Sequence, residues 1–282
     1  MVFMIVVKDL KKKYPDGTAA LKGVSFSIDK KITCILGRNG AGKTTLIRIL
    51  STQLRPSSGS AKIEGHDIVN EPMSARNDVV SIPQEAIPIN YVNPVDFVVL
   101  YLSARGMGIN EARRRADNAI KRVGLWSVRD KPSDELSGGM KRKIFVAMAL
   151  AADAPVTFLD EPTTGLDPLS RREVWAAIKE LKGQVVLTTH YMEEAQELSD
   201  EVIMMESGKV ISKGSIKKLM RPFEGMVRVE SKEKQKGAVR IGNTYISYVD
   251  RRRAESYVIK GSIIKPVTLD DLFVKRGVEL ES

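Results

Sequence analysis

Apolar and polar positions divide the 282-residue chain into stretches of different rhythm. The first thirty residues alternate as half-buried β-strands do, which places one strand at residues 4–7 and another at 20–28, after the turn Pro15-Asp16-Gly17. Ile32–Leu36 is an apolar run, and a glycine-rich stretch separates it from a helical pattern at residues 46–50. After a turn at 55–59, short strands are expected at residues 61–64 and at Val79–Ile82, the second closed by Pro83-Gln84. The rhythm then becomes helical. Pro94–Ala104, 111–123 and 140–152 read as helices, the last packing through Ile144, Val146, Ala147, Met148, Leu150 and Ala151. Largely apolar strands follow at 155–159 and 185–189, with a helix at 169–181 between them. A helix at 192–199, a strand at 202–206 and a hairpin through Ser207-Gly208 to residues 210–212 complete this part. Strands alternating with helices predict an α/β fold with a parallel sheet, whose ligands sit at the carboxyl ends of the strands.

Composition changes near Pro222-Phe223-Glu224-Gly225. Beyond it, short strands are expected at 226–230, 238–241, 244–249 and 256–260, and Thr268-Leu269-Asp270-Asp271 has the form of a capping box opening a last helix. The chain is thus read as one domain over residues 1–221 and a small C-terminal α+β appendage over 222–282, which carries no recognisable chemical motif.

The glycine-rich stretch reads Gly37-Arg38-Asn39-Gly40-Ala41-Gly42-Lys43-Thr44-Thr45 and fits G-x-x-x-x-G-K-[ST]. Glycines let backbone N–H groups approach phosphate oxygens with no Cβ in the way, and the helix that follows adds the positive end of its dipole. Lys43 is placed to reach the β- and γ-phosphates, and the Thr44 hydroxyl to reach Mg²⁺. Thr44, Gln84, Asp160, Glu161 and His190 all fall at strand carboxyl ends or just beyond. Asp160 and Glu161 close a buried strand, which is costly unless a positive group meets them. Gly165-Leu166-Asp167-Pro168 turns the chain into the next helix, and Ser137-Gly138-Gly139 stands at a helix start where Ser137 can be the N-cap. Tyr14, just before the first turn, is either a partly exposed loop tyrosine or a ring able to stack on a flat base.

Bulk properties narrow the alternatives. Hydrophobic residues make up 43% of the chain, enough for a buried core. One cysteine excludes an internal disulfide, and Cys34 in an apolar strand reads as a packing residue. Two histidines and one cysteine do not suit a zinc site. The net charge of +10 is spread over separate triplets at 11–13, 113–115, 141–143 and 251–253, without interleaved aromatic residues, which indicates solvated faces rather than a nucleic-acid platform. No apolar run approaches the length that spans a bilayer, and residues 1–7 lack a signal-peptide layout, so a soluble, cytoplasmic chain is expected.

Together these motifs resemble the ATP-binding cassette (ABC) transporter ATPases, in the family's order and over residues 2 to about 220. Gly37 to Thr45 resembles the Walker A loop, Gln84 the Q-loop glutamine, and Leu136-Ser137-Gly138-Gly139 the signature. Val156–Asp160 with Glu161 is similar to the Walker B strand and catalytic glutamate, Gly165 to Asp167 to the D-loop, and His190 to the switch histidine. Tyr14 takes the place of the adenine-stacking aromatic. The signature and Thr-Thr-His-Tyr-Met-Glu-Glu-Ala resemble the subfamily of drug, lipid and polysaccharide exporters, which often carries a small C-terminal extension. Met140 stands where glutamine is usual, and Asp29-Lys30-Lys31 lacks the usual glycine before its strand.

The resemblance implies a P-loop NTPase core with an antiparallel β-subdomain and a helical subdomain at about 85–152. It implies ATP and Mg²⁺ as cofactors, with Thr44, Gln84 and Asp160 at the metal, and hydrolysis by Glu161, His190, Gln84 and Lys43. Two nucleotide-binding domains, copies or paralogues, are expected to pair head to tail, with Ser137, Gly138 and Gly139 acting across the interface. An integral membrane subunit is expected to dock on residues 85–135, its coupling helix in a groove at 91–101, with the chain peripheral on the cytoplasmic face of the membrane. A regulatory or dimer-stabilising role is favoured for the appendage, and no nucleic-acid partner is expected. The alternative is a soluble ABC ATPase acting on nucleic acid or the ribosome.

Overall fold

Parallel strands buried on both faces need continuous apolar runs, and this chain supplies several. The computed structural model describes residues 5–234, 237–258 and 262–281. It forms two compact units, Met1–Lys213 and Gly214–Ser282.

The first unit opens with β1 (Ile5–Lys13) and β2 (Ala19–Ile28), then β3 (Ile32–Leu36), α1 (Lys43–Leu50), β4 (Ser58–Ile63), β5 (His66–Asp67), α2 (Pro72–Asn77) and β6 (Val79–Ile82). Helices α3 (Pro94–Ala104), α4 (Ile109–Arg122) and α5 (Gly138–Ala152) follow. The remainder is β7 (Val156–Asp160), α6 (Pro168–Lys179), β8 (Gln184–Thr189), α7 (Met192–Leu198), β9 (Glu201–Glu206) and β10 (Lys209–Gly214). An antiparallel sheet has the order β2-β1-β4-β5, and a six-stranded sheet the order β10-β9-β3-β8-β7-β6, parallel from β9 to β6.

Register positions the site. Leu36 pairs with Thr189, and Asp160 with Thr188, so Gly37, Glu161 and His190 leave the sheet at nearly one level. Beneath them, β3, β7 and β8 are buried at every position. Cys34 lies among them as expected, and burial raises its thiol pKa well above the usual value.

The predicted strand at 4–7 runs on to Lys13, while Met4 lies outside the described residues. Its alternation is broken near Asp9, which takes a left-handed φ of 43°, with a register shift between Val7 and Leu10. Leu10 thereby turns into the core from what looks like a charged run.

The second unit holds α8 (Ile216–Met220), β11 (Met226–Ser231), β12 (Val239–Ile241), β13 (Thr244–Asp250), α9 (Glu255–Val258), β14 (Ile263–Lys265) and α10 (Asp270–Glu281). Its antiparallel sheet has the order β12-β13-β11-β14. The division falls between Lys213 and Gly214, ahead of the composition change at Pro222. Phe223 explains this: it packs 4.8 Å from the Tyr248 ring, so the turn around Pro222 is internal to the second unit. The strand expected at 256–260 is instead the short helix α9, and the strand comes later as β14. Ile259 and Lys260 lie outside the described residues. The capping box holds, since the Asp271 carboxylate accepts from the Thr268 backbone N–H at 2.7 Å.

Candidate functional site

Two glycines shape the loop between β3 and α1. A Cβ on Gly37 would lie 2.4 Å from the Met205 carbonyl oxygen, and one on Gly42, at φ +98°, would lie 2.5 Å from the Ala20 carbonyl. No side chain caps α1, so its first N–H groups remain available to an anion. The loop curls around Lys43, whose Nζ donates to the carbonyls of Gly37 at 2.9 Å and Arg38 at 3.3 Å.

The positive group that the two carboxylates require is this lysine. Lys43 Nζ lies 3.2 Å from Glu161 Oε1, with both side chains almost fully buried. On the other oxygen, Glu161 Oε2 accepts from Thr164 at 3.0 Å, faces His190 Nδ1 at 3.0 Å, and receives a long bond from Gln84 Nε2 at 3.5 Å. Burial alone raises the Glu161 pKa, but the Lys43 charge and hydrogen bonds from Lys43, Thr164 and His190 outweigh it and hold the carboxyl below its ordinary value. Glu161 also takes a left-handed φ of 47°. Its backbone N–H is secured by Thr188 Oγ1 at 3.0 Å, and the same threonine hydroxyl donates to Asp160 Oδ1 at 2.5 Å.

These groups open into a cleft of about 660 Å³. Asn39, Gly40, Gly42, Lys43, Thr44, Thr45, Gln84, Glu161 and His190 line it, as does Tyr14, whose hydroxyl meets Thr45 Oγ1 at 3.2 Å. Gly37, Arg38 and Ala41 build the loop behind this lining, and Asp160 is buried one residue before Glu161. The hydroxyl of Thr44, the amide oxygen of Gln84 and the carboxylate of Asp160 are hard oxygen donors that fit Mg²⁺.

The signature residues lie elsewhere. Ser137 caps α5, accepting from Met140 N at 3.3 Å, and neither it nor Gly138 nor Gly139 lines the cleft. Gly139 is pressed against α6, where a Cβ would lie 2.7 Å from Ser170. Asp167, also outside the cleft, caps α6 by accepting from the N–H groups of Leu169 and Ser170, each at 3.0 Å, and these bonds lower its pKa, Ser170 foremost.

Several residues at the site gave no sequence signal. Thr188 follows Val185, Val186 and Leu187 in β8, and Arg142 donates to the Gln84 carbonyl from the middle of a basic triplet. Glu194, in the first turn of α7, is fully buried. Its Oε1 accepts from Thr163 Oγ1 at 2.7 Å and Trp175 Nε1 at 2.9 Å, tying the Glu161 loop, α6 and the helix after His190 together. Its Oε2 is buried without a hydrogen-bond partner among the described residues.

Comparison with known proteins supports the geometry. The ABC transporter family model matches residues 21–164. The Daunorubicin resistance ATP-binding protein DrrA3 of Streptomyces coeruleorubidus is 38% identical over 219 residues, covering 76% of this chain and 69% of that one. The Doxorubicin resistance ATP-binding protein DrrA of Mycobacterium tuberculosis is 39% identical over 220 residues, covering 76% of this chain and 66% of that one. The chain therefore spans about two thirds of these relatives' length. Among solved structures, the ATP-binding cassette MJ0796, a dimer in a post-hydrolysis state bound to ADP and Pi, is 26% identical with a TM-score of 0.67 over 75% of this chain and 98% of that one. Among the described residues no helix is long and apolar enough to cross a membrane. A phosphate loop closed on a buried lysine, a carboxylate pair at a strand end and these likenesses lead to one conclusion: the chain belongs to the ABC transporter family, as a subunit that binds and hydrolyses ATP.

Proposed function

We propose that this chain powers a membrane exporter by pairing with a second nucleotide-binding domain, a copy of itself or a paralogue, around ATP. The observation that carries this reading is the separation within one chain: Lys43, Glu161 and His190 line one cleft, while Ser137 to Gly139 cap a helix outside it. A site of this kind is completed when a second chain brings its signature over the γ-phosphate, aiming the N–H groups at the start of α5 at developing charge.

Within the cleft each residue has a distinct task. Tyr14 stacks on the adenine, and the N–H groups of Arg38, Asn39, Gly40, Ala41, Gly42 and Thr45 cradle the phosphates. Lys43 turns from the loop carbonyls and Glu161 toward the β- and γ-phosphates. That exchange frees the ionised Glu161 carboxylate to accept a proton from the attacking water, with Thr164 and His190 holding its orientation. Thr44, Gln84 and Asp160 would hold Mg²⁺, which neutralises charge on the β- and γ-phosphates. Asp167 fixes the start of α6 at the facing surface, beside Leu169, which is 70% exposed.

The membrane subunit docks on the helical segment. Support comes from Ile87, Ile89, Tyr91 and Leu100, apolar or aromatic side chains that are all more than half exposed, with Tyr91 at 83%. They follow Gln84 in the chain, so phosphate contact at Gln84 reaches this surface through a short connection. The subunit would then lie on the cytoplasmic face of the membrane. The two relatives are named for daunorubicin and doxorubicin resistance, which favours an apolar or amphiphilic cargo for this one. The alternative of nucleic-acid or ribosome work gains no support from them. Charge reversal at residues 91–101 tests the docking: transport should fail while the isolated subunit still binds ATP, and intact transport would contradict it.

A further inference from the structure

A cleft of about 740 Å³ lies within the second unit, a volume in the range of small-molecule sites. It sits at one end of the sheet, where β11 begins and where β13 and β14 have just ended. Its apolar lining includes Met220, Phe223, Met226, Val227 and Val267. Phe223 is held firmly, with the Tyr248 ring 4.8 Å away and the Lys275 ammonium 5.0 Å from its ring centroid.

Four cations border this apolar floor: Lys217, Lys218, Arg221 and Arg251, all exposed. None of them forms an ion pair among the described residues, and Glu224 is the single acid in the lining. Elsewhere in the same unit three cations meet carboxylates. Arg228 pairs with Asp271 and Glu230, Lys265 with Glu230, and Arg252 with Asp250. Four cations without an ion pair among the described residues thus border one cleft, where they repel one another and attract an anion. Guanidinium forks at Arg221 and Arg251 suit a phosphate, and the apolar floor suits a chain attached to it.

We propose that this cleft binds a single amphipathic phosphate, its head among Lys217, Lys218, Arg221 and Arg251 and its apolar chain over Phe223, Met226 and Val227. The site is independent of the nucleotide cleft in the first unit. The test is calorimetric titration of the full chain, with ADP saturating that first cleft, using octyl phosphate, inorganic phosphate and octyl glucoside. Octyl phosphate should bind at least about tenfold more tightly than either of the others, because only it offers both charge and apolar surface. The double variant Arg221→Ala, Arg251→Ala should lose about tenfold in affinity for it. A control pair of exposed first-unit lysines, Lys8→Ala with Lys209→Ala, should lose none. Equal affinity for inorganic phosphate would make the rim an ordinary solvated basic face and overturn the proposal. So would equal affinity for octyl glucoside, an equal loss in the control pair, or binding confined to vesicles containing phosphatidic acid.

Discussion

The two clefts of this molecule use positive charge in opposite ways. In the first unit a single lysine, 5% exposed, is enclosed by main-chain carbonyls and a buried carboxylate. In the second, four exposed cations stand around an apolar floor without acidic partners. An enclosed charge is already oriented, so it can act on a bound group with little reorganisation. Exposed charges on flexible stems attract and retain, but they do not set the geometry that a chemical step requires. The contrast suits a catalytic cleft in one unit and a sensing or holding cleft in the other.

The largest effect expected from breaking this contrast is at Lys43. Lys43→Ala removes the cation that both the phosphates and Glu161 need, and phosphate-release assays should show turnover lower by about a thousandfold. Next is the support of the second unit, which rests on Asp271. Fully buried, it accepts from Arg228 at 3.3 Å, from Tyr248 at 2.9 Å and from the Thr268 N–H at 2.7 Å. Burial raises the Tyr248 pKa, and the hydrogen bond to Asp271 adds to that, so the phenol stays a donor throughout the usual pH range. Asp271→Ala leaves Arg228 with Glu230 alone and takes the carboxylate acceptor from the Tyr248 hydroxyl and the Thr268 N–H, which should destabilise this unit by about 3 kcal/mol. Calorimetry should show its transition fall while the ATP-stabilised transition stays in place.

A smaller effect is expected at Glu194. Glu194→Ala leaves the Thr163 hydroxyl and Trp175 N–H buried without an acceptor, at a cost of about 2 kcal/mol. Because the staple joins the Glu161 loop to the helix after His190, kcat should fall with the KM for ATP nearly unchanged. Glu194→Gln retains the acceptor oxygen and should recover most of both losses. An equal fall in KM and kcat behaviour for the two variants would reduce Glu194 to packing.

How far the chain could be read from its residues differs between the same two regions. In the first unit, largely apolar runs such as Ile32–Leu36 and motif residues such as Gly37, Lys43 and Glu161 carry their own meaning, because backbone geometry and phosphate chemistry leave few alternatives. What could not be read is contact across the chain. The Lys43–Glu161 pair joins residues from different strand ends, and Thr188 holds the Asp160 carboxylate and the Glu161 backbone N–H through a hydroxyl that any buried strand can carry. Glu194 stands in the first turn of α7, where acids usually face water, so its position alone does not mark it as buried. In the second unit the strands are short and the polar network at Asp271 is assembled from β11, β13 and α10. Periodicity over so few residues cannot separate a short helix from a strand, which is why a strand is expected at 256–260 where the helix Glu255–Val258 stands.

The smallest effects concern the margins of the first cleft. Tyr14→Ala should weaken ATP binding by about fivefold, near 1 kcal/mol, if the ring stacks on adenine. The pH dependence follows from Glu161, whose folded pKa lies below the ordinary 4.5. Its stabilising contribution is complete above the unfolded value and is lost as pH falls through the folded value. Acid-unfolding curves should therefore be shallower below pH 4.5 for Glu161→Gln than for the unaltered chain.

The central claim is that one chain holds half of each hydrolytic site. Sedimentation of Glu161→Gln with saturating ATP and Mg²⁺ tests it most directly, because that change keeps the cleft but removes the base. A stable dimer is expected with ATP, a monomer without it, and loss of the dimer when Ser137→Arg is added to the same chain. A Glu161→Gln protein that stays monomeric in ATP, or that hydrolyses ATP at the unaltered rate, would contradict it.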